Sequence, residues 1–112
     1  MLFKPKSPIE KTTLKIEAEI KKLMKPRSQE KVWVTHYGAN DIHPRHLVYW
    51  ICVDTDSEKS RLEADTELMI QLRNLLKQFD YPAEGRDGVM IGFESTETVD
   101  RESNGNWWHH WK

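Results

Sequence analysis

The run His46-Leu47-Val48-Tyr49-Trp50-Ile51-Cys52-Val53 constrains the chain more than any other stretch. After His46 it holds seven consecutive apolar or aromatic residues, rich in β-branched and ring side chains. That composition suits a strand buried on both faces, and such strands sit in the middle of a sheet. The other elements are therefore expected to pack on this strand or pair with it. A chain of 112 residues supports one domain with one core. Five Trp favour a packed domain over a disordered one.

The flanking segments supply the partners. Ser7-Pro8-Ile9-Glu10 reads as an N-cap, a proline at the first helical position and a capping-box glutamate. Ile9, Ile16, Ile20 and Leu23 fall on one helical face, and Pro26 stops the helix, so it spans about 8–25. Val32 to Tyr37 reads as a strand. The loop 38–45 that follows suits an antiparallel pairing with the central strand. Leu62, Met69, Leu72, Leu76 and Phe79 predict one long helix over about 57–79. Val89-Met90-Ile91-Gly92-Phe93 is a third strand, which the helical crossover can place parallel to the central one. Gly92 within it marks a bulge or a close approach by another segment. Asn104-Gly105 is a strong hairpin signal, so Trp107-Trp108-His109-His110-Trp111 is expected to pair back as a final strand. The expectation is a single α+β domain over 1–112, with 1–6 frayed. Its order is α-β-β-α-β with a final hairpin, and its mixed sheet of three to five strands carries helices on one face.

Charge is unevenly distributed. Residues 1–27 hold eight Lys or Arg against three Glu, and the remainder holds nine basic residues against fifteen acidic. This is a basic arm on an acidic body. It reads as two solvated faces, or as a body that meets a basic partner. An acidic body does not suit a phosphate backbone, so nucleic acid is not an expected partner. Met1-Leu2-Phe3-Lys4-Pro5-Lys6 lacks the apolar run of a secretory signal, and no stretch reaches the roughly 18 apolar residues of a membrane span. Cys52 is the single cysteine. With no internal disulfide to indicate an oxidising compartment, the expected location is cytoplasmic, with no membrane partner.

Motifs for chemistry are sparse. The chain has no Gly-x-Ser-x-Gly, no Walker loop, no Gly-x-Gly-x-x-Gly and no Cys-x-x-Cys. No cofactor or metal is expected. His36, Asp41 and His43, with Glu94, could line one end of the sheet as an acid–base set for a small hydrolase or nuclease-like enzyme. Against that stands a protein-binding surface. Trp, Tyr and Arg anchor interfaces. Here Trp107 and Trp108 follow Glu94, Glu97, Asp100, Arg101 and Glu102, while Asp54 and Asp56 carry further acid after the central strand.

The stretch from Phe93 to Trp108, in a small α/β chain with an acidic body and a Trp-rich end, resembles bacterial immunity proteins in type. Such proteins neutralise the toxin domains of contact-dependent or polymorphic toxin systems. The resemblance implies a cognate toxin domain, often a nuclease, held without turnover by an acidic, Trp-bearing surface, and it carries over no individual residue. An accessory protein-interaction domain is the remaining alternative.

Overall fold

The computed structural model describes residues 7–111; the expected frayed segment 1–6 lies outside the described residues. Helix α1 spans Pro8–Met24. Ser7 Oγ accepts the Glu10 N–H while the Glu10 carboxylate accepts that of Ser7, so the capping box forms as the sequence predicts. Strands β1 (Trp33–Tyr37), β2 (Val48–Val53) and β3 (Met90–Ser95) form one sheet in the order β1-β2-β3. The all-apolar run is thus the central strand. It pairs antiparallel with β1 and parallel with β3.

The pleat gives the sheet two unlike faces. Val34, Tyr49, Ile51, Ile91 and Phe93 point one way and join the core with Ile16, Ile20 and Met24 of α1. Trp33, Thr35, Tyr37, Trp50, Cys52, Gly92 and Glu94 point the other way, as the register Trp33↔Cys52, Thr35↔Trp50, Trp50↔Gly92 and Cys52↔Glu94 requires.

The long crossover helix is two helices, α2 (Asp56–Glu63) and α3 (Thr66–Gln78). Asp65 makes the break, because its carboxylate accepts the Leu68 N–H as the N-cap of α3. Leu62 and the α3 residues Leu68, Leu72, Leu75 and Leu76 still reach one core, which is why their spacing mimics an unbroken helix.

The expected final hairpin does not form. Ser95 caps α4 (Thr96–Ser103) by accepting the Thr98 N–H, and a short helix α5 (Trp107–His110) follows. Asn104 at φ 52° and Gly105 at φ 77° supply the left-handed backbone that ends α4. The same preference that makes Asn-Gly a hairpin turn serves here as a helix stop. Asn106 then caps α5 through the His109 N–H. This tail lies over the second face of the sheet, so only the earlier helices share the single expected face.

Candidate protein-binding surface

The acids and tryptophans of the tail divide into two groups. The first group is spent inside the molecule. Asp56 accepts hydrogen bonds from Ser95 Oγ (2.6 Å), Thr98 Oγ1 (2.6 Å) and Arg101 (2.7 Å). These hydroxyl and guanidinium donors hold its carboxyl well below the usual carboxylate range. Glu97 in turn accepts the Asp56 N–H at 2.7 Å. The first turns of α2 and α4 are therefore stitched together from both sides: Glu97 of α4 accepts a backbone N–H at the start of α2, and Asp56 of α2 accepts the hydroxyl and guanidinium donors of Ser95, Thr98 and Arg101.

Glu94 is buried. It accepts Lys59 Nζ at 2.9 Å and the Ser95 N–H at 2.9 Å through one oxygen, and meets His110 Nε2 at 2.8 Å through the other. Burial works to raise its pKa, but Lys59, the Ser95 N–H and His110 outweigh it and hold the carboxyl below its ordinary value. Trp107 also faces inward, its ring 4.8 Å from that of Trp33 and edge-on to it.

The second group faces solvent. Asp54, Asp100 and Glu102 are exposed, and Trp108 is 75% exposed. Trp108 and Trp111 form one wall of a cavity of about 320 Å³, with Thr35, His36 and Tyr37 of β1 as the other. Trp111 stacks on Trp50 with ring centroids 5.7 Å apart and planes 11° from parallel, and Trp50 donates its indole N–H to the Tyr37 hydroxyl at 3.0 Å. These contacts fix the Tyr37 and Trp111 sides of the cavity before anything binds. β1 is an end strand, so the cavity opens at an edge of the sheet that no other strand among the described residues covers. His36 and Tyr37 also line a second cleft of about 450 Å³, which Glu10 and Asp41 make acidic.

The acid–base set is only partly assembled. His36 and Asp41 line that second cleft, with His36 Nδ1 3.4 Å from Glu17 on α1. His43 serves the backbone instead, its Nδ1 accepting the Arg45 N–H in the turn before β2. Glu94 belongs to the opposite face of the sheet from His36. Among the described residues no three His, Cys, Asp or Glu side chains are grouped to hold a metal ion. Cys52 is fully buried, and burial, with the neighbouring Glu94 carboxylate, pushes its thiol up to about 12.

Comparisons with protein-family models, curated proteins and solved structures each return no match. Thr35, His36, Tyr37 and Trp111 are the cavity residues that sequence reasoning does not assign to the interface. For Thr35 and Tyr37 the signal is the alternation that puts them with Trp33 on one face of β1, the face on which the tail settles.

Proposed function

We propose that this chain is a protein-binding domain of the immunity type. It holds a basic partner by seating one of that partner's side chains in the aromatic cavity at the open edge of β1. The observation that carries this reading is the preformed cavity walled by Tyr37, Trp108 and Trp111, with Trp108 75% exposed beside it. Rigid aromatic anchors around a pocket are what binding hot spots are made of. Asp100 and Glu102 of α4 supply acid on the tail, and Glu10 and Asp41 supply it in the adjoining cleft. Opposite potentials of this kind steer encounter with a cationic surface, such as the substrate groove of a nuclease toxin domain. Binding there blocks the groove without turnover, in the cytoplasm of the producing cell.

The test is a calorimetric titration against the purified product of the adjoining reading frame, followed by Trp108→Ala. A central aromatic anchor contributes about 2 kcal/mol or more, so the variant binds roughly 30-fold more weakly. An undiminished affinity in Trp108→Ala and Tyr37→Ala, or no complex with the native protein, refutes the reading.

A further inference from the structure

One cluster is left unused by that surface. Where α4 hands over to α5, Ser103 Oγ lies 3.0 Å from His110 Nδ1, and His110 Nε2 lies 2.8 Å from Glu94 Oε2. The side chains of His110 and Glu94 are 14% and 7% exposed, and Ser103 is half-buried at the last position of α4. Lys59 and the Ser95 N–H fix the other oxygen of Glu94. An ionised carboxylate only accepts hydrogen bonds, so the His110 proton sits on Nε2 and Nδ1 is left to accept from the serine hydroxyl. Hydroxyl, imidazole and carboxylate are thus joined in series, with the carboxylate held from behind. That order of nucleophile, base and orienting acid is recognised by geometry and not by sequence position.

We propose that Ser103, His110 and Glu94 form a nucleophile relay that accepts acyl groups from activated esters and thioesters. Ser103 Oγ attacks the carbonyl carbon, forming a C–O bond while the carbonyl electron pair moves onto oxygen. His110 Nδ1 takes the serine proton, and Glu94 stabilises the imidazolium. The intermediate collapses, the bond from carbon to the leaving oxygen or sulfur breaks, and His110 returns the proton to the leaving group. Water, deprotonated by His110, then releases the acid and restores Ser103. No cofactor or oxidant enters the balance.

The substrate class follows from the backbone. The N–H groups of Asn104 and Gly105 are committed to Val99 O, and that of Asn106 to Ser103 O. These N–H groups are therefore not available to the developing oxyanion, a deficit worth about 100-fold or more in rate for a missing donor. Acyl groups with good leaving groups tolerate that loss, and amides do not.

The experiment uses the intact chain with p-nitrophenyl acetate as substrate and a fluorophosphonate probe as trap. The expected result is probe attached at Ser103, located by peptide mass spectrometry, and abolished in Ser103→Ala. Esterase turnover falls at least 100-fold in Ser103→Ala and in His110→Gln, and is unchanged in His109→Gln, which removes the neighbouring exposed imidazole. Circular dichroism confirms that each variant is folded. If His110→Gln unfolds, Ser103→Ala at the half-buried serine carries the test alone. No probe on Ser103, or turnover that survives Ser103→Ala, overturns the proposal and leaves the three residues as a clasp that pins the tail.

Discussion

Gly92→Ala tests how the tail is held to the sheet. A Cβ at this position would lie 2.7 Å from Cζ3 and 3.2 Å from Cε3 of Trp50. The first distance is well inside van der Waals contact. The indole cannot simply swing away, because Trp50 is stacked on Trp111 and bonded to Tyr37. Overpacking a well-filled site costs about 1–3 kcal/mol. Disturbing the Trp50–Trp111 stack adds about 0.5–1.5 kcal/mol. Replacing a strand glycine gives back about 0.5–1 kcal/mol of backbone entropy. The net destabilisation is about 0.5–4 kcal/mol, centred near 2, or a fall in Tm of roughly 2–16 °C at about 4 °C per kcal/mol for a domain of this size. Thermal unfolding followed by near-UV circular dichroism reads both the Tm and the indole packing. Trp50→Leu in the same background should recover part of the loss, since the smaller side chain clears the new methyl, and the two changes should therefore be non-additive. An equal or higher Tm in Gly92→Ala, with an unaltered aromatic spectrum, would refute the close approach on which this reasoning rests.

The remaining expectations concern ionisation, reactivity and recognition. Arg61 hydrogen bonds, the Gln29 N–H and Ser28 together hold the buried Glu58 carboxyl at about 2, against the opposing effect of burial. A depressed folded-state pKa stabilises above the unfolded value of about 4.5 and the benefit is lost as pH falls through about 2. Urea midpoints of native and Glu58→Gln protein should accordingly differ at pH 7 and converge towards pH 2. Cys52 should resist a thiol-disulfide reagent at pH 8 and react fully in denaturant, because its thiol is buried and pushed up to about 12; rapid labelling of the native protein would contradict the packing of the second sheet face. Paired substitution of Asp100 and Glu102 by Lys should slow association with the basic partner and flatten its salt dependence while leaving Tm within about 2 °C, since exposed charges contribute little to stability. Stopped-flow rates at two ionic strengths check it.

What the sequence determined is what local chemistry determines. Seven apolar residues in a row suit a strand covered on both sides, and Val48–Val53 is the middle strand. Ser7, Pro8 and Glu10 specified the start of α1 because a capping box is closed within four residues. Gly92 announced a bulge or a close approach by another segment, and tertiary structure supplies the second through the Trp50 ring. Tertiary structure decided the rest. Asp65 splits the crossover helix, although Leu62 and Met69 keep helical spacing across the break, because two helices can feed one core as well as one can. Asn104-Gly105 offers left-handed backbone, which both a hairpin and a helix stop require; a helix forms before it because Ser95 caps one and Asp56 and Glu97 bind its first turn to α2. Likewise, no residue count reveals that Asp56 and Glu94 are consumed by internal donors while Asp100 and Glu102 remain at the surface. Burial and pairing belong to the folded neighbourhood and not to the side chain, so the wall that Trp108 and Trp111 build against β1 exists only once the tail has been laid across the sheet.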